Sequence, residues 1–271
     1  MVQTGQQSDG VRSIILFYKY FAPPLANESG ALQQLEGWHK EFCASLCLHG
    51  RIILAAQGIN GTLAGKNEAV DAYIRAADAY TVTSEQGLAR RVFEGIDWKR
   101  DECNLGGGDP ELFPDLVVRR SEEIVPSGGM PYPLDSCTGE LVAGRHLSPE
   151  EFHEQLTSAT KDDNMLVLDV RNRTEYSVGH FIDGAGRPAV HPNMRNFKSF
   201  RTFVDKNQEL FEGKRVLMYC TGGIRCETAS AYLRHKNVAA EVCQLQNGIH
   251  RYVGRFGSSG CFRGKNFVFD R

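Results

Sequence analysis

The sequence predicts an α/β protein of two domains, a ferredoxin-like α+β unit followed by a parallel sheet wound with helices. Three observations carry this expectation. The first half reads in the order β-α-β-β-α-β. The second half alternates short, wholly apolar strands with helical patterns. Between them lies a Gly-, Pro- and Ser-rich stretch without apolar periodicity. At 271 residues the chain is long enough for a core in each half. The expected boundaries are a disordered N-terminus over 1–12, the ferredoxin-like domain over 13–125, a linker over 126–145 and the second domain over 146–271.

In the first domain, Ser13 to Phe21 is an apolar and aromatic run closed by Pro23-Pro24, which cannot continue a central strand. From Ala31 to Leu48, apolar residues recur at helical spacing (Leu32, Leu35, Trp38, Phe42, Leu46), and Gly50 ends the pattern. A strand over Arg51 to Ala56 follows. Gln57-Gly58-Ile59-Asn60-Gly61 has the chemistry of a tight reversal before a short strand, Thr62 to Ala64. Asn67 is expected to cap a helix running to about Ala79, with Glu68 in its first turn. Closing strands are expected at Arg91 to Ile96 and at Leu116 to Arg120. Gly106-Gly107-Gly108 lacks the Lys-Ser/Thr pair and the helix of a phosphate-cradling loop, so it reads as a plain loop.

The second domain opens on Leu147-Ser148-Pro149-Glu150-Glu151, with Ser at the cap, Pro at the first helical position and acids in the first turn. Met165 to Val170, Arg215 to Tyr219 and Ala240 to Leu245 are strands suited to burial on both faces.

Composition narrows the function classes. Apolar residues make up 41% and charged residues 24%, which excludes a disordered or fibrous chain. No segment approaches the run of about 20 apolar residues that a membrane span needs. Met1 to Ser13 is polar, without the pattern of a secretory signal, so a cytoplasmic protein is expected. The eight cysteines are scattered through a chain large enough not to need staples and are read as reduced thiols. Cys43 and Cys47 lie four apart on a helical pattern, but no second pair completes a metal site. No metal and no cofactor are expected. Residues 1–140 carry a net charge of −7 and residues 141–271 one of +5, so the second half can attract an anionic partner or simply present a solvated surface.

The chemistry converges on Cys220. Strand Val216-Leu217-Met218-Tyr219 delivers it to the carboxyl end of the sheet, where ligand sites of open α/β folds lie. Thr221-Gly222-Gly223-Ile224-Arg225 follows, before a helix expected to begin near Cys226 or Glu227. Two glycines let the loop curl so that N–H groups point inward, and the helix adds its own unpaired N–H groups. A sulfur at the centre becomes a nucleophilic thiolate. Arg225 would orient an anionic donor or add charge to the cradle. Cys-x5-Arg loops wrap a phosphoryl group; Cys220-x4-Arg225 is one residue shorter and suits a sulfur-sized atom. Transfer of sulfane sulfur through a Cys220 persulfide is the favoured reaction, from a thiosulfate or persulfide donor.

Accessory candidates surround this loop. Cys226 fits both a resolving thiol and a small residue at a helix start. Asp169 and Arg171 reach the same sheet edge, where they would bind substrate or form a buried ion pair that locks the loop. His180 reads as structural. Arg187, Arg195, Lys198, Arg201 and Lys206 interleave with Phe197, Phe200 and Phe203, the pattern of a nucleic-acid surface or of an ordinary helix with an apolar inner face.

Leu168-Asp169-Val170-Arg171-Asn172, Glu175-Tyr176 and Gly179-His180-Phe181 resemble the rhodanese homology domain, and Tyr219 through Glu227 resembles its active loop. Together with Gln57-Gly58-Ile59-Asn60-Gly61-Thr62 and Glu123-Ile124-Val125, the chain over 13–271 resembles the two-domain group of bacterial tRNA wobble-uridine hydroxylases and eukaryotic rhodanese-like domain-containing proteins. The resemblance implies an acylphosphatase-like first domain, a rhodanese second domain and an activity carried by Cys220. It also implies the alternative reaction of the bacterial members, oxygen-dependent hydroxylation of a tRNA uridine, with tRNA as partner. A non-catalytic RNA- or protein-binding module is the alternative of another class. Two features depart from the group. It commonly continues into a cysteine-rich tail after Asn266-Phe267-Val268-Phe269-Asp270, and its closing motif usually has two glycines where this chain has Gln246-Asn247-Gly248-Ile249-His250.

Overall fold

The computed structural model describes residues 12–25, 30–83, 89–103, 113–135, 138, 140, 142–161 and 164–266. The expected disordered stretch, apart from residue 12, and the triple glycine at 106–108 lie outside them. The chain divides into two compact units, Met1–Ile124 and Val125–Arg271. No described helix is long and apolar enough to cross a membrane.

The first unit comprises β1 (Arg12–Tyr20), α1 (Ala31–Ser45), β2 (His49–Ala55), β3 (Gly58–Lys66), α2 (Asn67–Ala79), the small hairpin β4 (Thr81–Thr83) and β5 (Ala89–Arg91), then β6 (Lys99–Cys103) and β7 (Leu116–Arg120). Its sheet runs β6-β1-β3-β2-β7, antiparallel except where β7 joins β2 in parallel. Alternate strand residues (Ile15, Phe17, Ile52, Leu54, Ile59, Leu63) share one core with Leu35 of α1 and Val70 and Tyr73 of α2. Both helices therefore cover the same face, as the alternation of a half-buried strand requires.

Several expectations for this unit are corrected. The strand beside β1 is Lys99–Cys103, an edge strand whose Lys-Arg-Asp-Glu-Cys sequence carries no apolar signal. Arg91 to Ile96 is not a strand: Arg91 ends β5 and a turn then buries Val92, Phe93 and Ile96. The reversal after β2 is Ala56-Gln57, because Ala55 pairs with Gly58, and Gly58 to Gly61 lie inside β3. Gly61 is required by close packing: a Cβ there would sit 2.4 Å from the Phe17 ring. Asn67 does not cap α2; it is the first helical residue, and its side chain accepts the Ser13 hydroxyl. Helix α1 stops at Ser45, leaving Cys47 exposed at φ 53° while Cys43 is buried, so the two thiols share no helix face. Among the described residues no three potential ligands cluster as a metal site, and Cys43, Cys47, Cys220, Cys226, Cys243 and Cys261 are free thiols.

The second unit comprises β8 (Arg145–Leu147), α3 (Pro149–Thr157), β9 (Met165–Asp169), α4 (Arg173–Val178), β10 (Gly179–Phe181), α5 (Phe200–Lys206), β11 (Arg215–Tyr219), α6 (Ile224–Lys236), β12 (Glu241–Leu245), α7 (Gly248–Phe256) and β13 (Phe262–Gly264). The sheet β8-β12-β11-β9 is parallel throughout, and Val190 extends it by a bridge to Leu168. Strands β10 and β13 form a separate antiparallel ribbon. Ser148 and Glu151 form a complete capping box at α3. Phe152, Phe181, Leu217, Tyr219, Leu245 and Tyr252 belong to the core of this unit. Phe197 and Phe200 are buried while Arg195, Lys198, Arg201 and Lys206 stay exposed, so that stretch has the apolar inner face of an ordinary helix.

Candidate active site

Strands β9 and β11 end side by side, with Asp169 in register with Tyr219. The two segments that follow, Val170-Arg171 and Cys220-Thr221, leave the sheet together. Cys220 has no exposed surface. Its Sγ accepts the Gly223 N–H at 3.1 Å. The Cys226 thiol and the backbone N–H groups of Arg225 and Cys226 act on the same sulfur electrostatically, while the Cys226 N–H donates to the Gly223 carbonyl at 3.0 Å. Helix α6 begins at Ile224, earlier than expected, because Gly223 at φ 101° makes the turn. Arg225 and Cys226 thus stand in the first helical turn, where the helix dipole favours an anion.

Burial raises the pKa of Cys220, but the Cys226 thiol, the Arg225 charge and the converging N–H groups outweigh it and bring the pKa down to about 6. Cys226 goes the other way: burial and the neighbouring Cys220 push it well above the usual thiol range. One sulfur is the thiolate and the other keeps its proton.

Arg225 does not stand free for an incoming anion. Its guanidinium is engaged by Glu175 in a two-point pair, Nη1 to Oε2 and Nη2 to Oε1, both 2.7 Å, and Nη2 also reaches Thr221 Oγ1 at 2.9 Å. Thr221 in turn donates to Glu175 Oε1 at 2.9 Å. Burial would raise the Glu175 pKa, but the Arg225 pair, the Asn172 N–H at the cap of α4 and the Thr221 hydroxyl bring it down to about 2. Glu175 was not among the candidate residues. The visible signal for it was the Asn172-x-x-Glu175 capping box, which is present at α4.

Asp169 and Arg171 form the buried ion pair, not a substrate-facing couple. Both are fully buried; Nη2 lies 2.6 Å from Oδ2 and also donates to the Gly179 carbonyl. The Arg171 guanidinium lies 5.6 Å from the centroid of the Tyr219 ring. The pair therefore ties the exit of β9 to β10 and to the last residue of β11. His180 contacts the Tyr176 carbonyl and stacks on the Tyr176 ring at 4.4 Å, a structural placement.

The far wall of the loop is helix α7. Its Ile249 and His250 N–H groups donate to the Cys220 and Thr221 carbonyls at 3.0 and 3.1 Å. Asn247 and Gly248 both adopt the left-handed conformation, at φ 61° and 67°. A Cβ at Gly248 would lie 2.5 Å from the Cys220 carbonyl oxygen, whereas Asn is the ordinary non-glycine occupant of that backbone region. The closing motif thus keeps its glycine where the space demands one. A cavity of about 620 Å³ lined by Gln155, Asn164, Met165, Arg215 and Glu241 lies at the amino ends of β9, β11 and β12, the opposite end from Cys220.

A parallel α/β sheet that presents a low-pKa cysteine to a ring of N–H groups at a strand-to-helix junction defines a rhodanese-type domain. The family comparisons agree: residues 148–255 match the Rhodanese-like domain and residues 12–124 the UPF0176 acylphosphatase like domain. The chain is 39% identical to Rhodanese-like domain-containing protein 6 of Arabidopsis thaliana over 95% of its own length and 42% of that protein. It is 35% identical to a tRNA uridine(34) hydroxylase of Shouchella clausii over 94% of its length and 70% of the relative. A protein of the same name from Staphylococcus saprophyticus is 37% identical, over 95% and 71% of the two chains. The chain belongs to this two-domain family of UPF0176-type, rhodanese-containing proteins, and it spans less than half of its plant relative and about 70% of the bacterial ones.

Proposed function

We propose that the protein is a tRNA-modifying enzyme that hydroxylates uridine at position 34, with Cys220 as its catalytic thiolate. The observation that carries this reading is the match of both domains, in one continuous alignment, to bacterial proteins named for that activity. The order of preference between the two reactions weighed from the sequence is thereby reversed. Thiosulfate or a persulfide as donor draws support from the general chemistry of the domain alone.

In this reading Cys220 is ionised at neutral pH and supplies the nucleophile. Thr221, Gly222, Gly223 and Ile224 shape the cradle, and Arg225, neutralised by Glu175, holds its geometry. Asp169 and Arg171 lock the strand ends behind it. A tRNA substrate makes the cytoplasm the expected compartment.

The test is the nucleoside profile of tRNA from a strain lacking the gene. Modified uridines at position 34 should fall, recover on complementation with the wild type and stay absent with Cys220→Ser. An unchanged profile in the deletion strain overturns the proposal. The sulfur-transfer reading retains one specific support, a cradle closed around a single sulfur atom with the Gly223 N–H 3.1 Å away. It predicts a reducible gain of one sulfur on Cys220 after thiosulfate treatment, read by intact mass and absent from Cys220→Ser.

A further inference from the structure

The Cys220 loop contains a second sulfur that the proposed reaction does not use. We infer that Cys226 is the resolving thiol of the site and closes a reversible Cys220–Cys226 disulfide whenever Cys220 carries a leaving group. Three observations lead there. Cys226 stands in the first turn of α6, the helix that opens directly after the Cys220 loop, and its buried thiol interacts with the Cys220 sulfur. Both residues have no exposed surface, so a bulky external thiol has no path to Cys220 in this conformation. The other two described cysteines of this unit make different contacts: Cys243 donates to Glu241 at 3.4 Å, and Cys261 approaches His153 at 3.9 Å. Cys226 is therefore the thiol placed to discharge an intermediate on Cys220.

The chemistry balances for two kinds of intermediate. With hydrogen peroxide as oxidant, the Cys220 thiolate attacks one peroxide oxygen, the O–O bond breaks, and the leaving hydroxide takes up a proton as water, which leaves a sulfenic acid. Cys226 sulfur then attacks Cys220 Sγ, the S–O bond breaks, and the hydroxyl departs as a second water with the Cys226 proton. The two thiols lose two electrons and the peroxide gains them. With a persulfide on Cys220, the same attack on Sγ expels the outer sulfur as hydrogen sulfide, which carries both protons. Both routes end in one disulfide. Once the loop opens, an external dithiol reductant restores the pair by thiol–disulfide exchange, so the enzyme's reaction sequence must include a thiol-reducing step. The opposite protonation states suit the two roles, since a thiolate at Cys220 takes the oxidant first and the protonated Cys226 waits until Cys220 has become an electrophile.

The sequence offers a clean readout. Arg225 stands between the two cysteines, so trypsin places Cys220 in the peptide 216–225 and Cys226 in 226–234. The purified full chain is treated with an equimolar amount of hydrogen peroxide, denatured, alkylated and digested. The expected result is joint loss of both alkylatable thiols and a reducible cross-linked pair of these peptides. Cys226→Ser and Cys226→Ala should instead accumulate a Cys220 sulfenic acid trapped by a 1,3-dione, and Cys220→Ser should leave Cys226 alkylatable. Circular dichroism of each variant establishes that it is folded before oxidation. A wild type that accumulates trapped sulfenic acid at Cys220 while Cys226 stays alkylatable overturns the inference. Because the readout is thiol state in purified protein, its outcome is independent of the tRNA profile, and either proposal can fail alone.

Discussion

Charge in the active loop is arranged as an alternating row of single side chains. The Cys220 thiolate faces Arg225, Arg225 is gripped by Glu175, and Glu175 is held by Thr221 and the start of α4. The first consequence is a pH profile: alkylation of Cys220 by iodoacetamide in the folded protein should rise through pH of about 6. An inflection in the ordinary thiol range, above about 8, would contradict the cradle. The second concerns Glu175. Its folded pKa of about 2 lies below the unfolded value, so its stabilisation is complete above the unfolded pKa and is lost as pH falls through about 2. A drop of that size corresponds to about 3 kcal/mol, the scale seen when one partner of a buried pair is removed. Glu175→Gln should therefore lose about 3 kcal/mol in urea unfolding at pH 7, with the gap to wild type narrowing on acidification below about pH 4. Equal stability at pH 7 would show that the pair contributes nothing net.

At the scale of elements, the loop is held between the end of β11 and the start of α7, and Gly248 is the joint. Gly248→Ala places a side chain at φ 67° and 2.5 Å from the Cys220 carbonyl. It should cost at least about 2 kcal/mol and slow the alkylation of Cys220, whereas Asn247→Gly should unfold within about 1 kcal/mol of wild type. Denaturant midpoints and alkylation rates of the two variants check this. The same elements show what a sequence discloses. Arg215–Tyr219 was legible because a strand buried on both faces writes an unbroken apolar run. Lys99–Cys103 was not, because an edge strand can pair its backbone while its side chains stay polar. Asn60-Gly61 carries turn composition, yet the glycine serves to make room for Phe17. Cys220 was readable from its local setting, while Glu175 was missed because its partner Arg225 is 50 positions away and only the fold brings them together.

For the whole molecule, each unit carries its own core, one drawn from residues within 15–118 and the other from residues within 147–262. Residues 1–124 and 125–271 expressed as separate chains should each unfold cooperatively in a denaturant titration, and a fragment that shows no transition would mean that its core needs the other half. Activity need not survive the separation, since the family match runs through both units without interruption. The complete burial of Cys220 has a bearing on the order of events in catalysis. A site whose reactive atom is sealed selects by size before it selects by chemistry. In the proposed reaction a small oxidant needs only local breathing to reach Cys220, whereas a nucleotide would require the loop to part from α7. On that proposal the two hydrogen bonds from Ile249 and His250 would serve as a latch, whose release would bound the turnover rate.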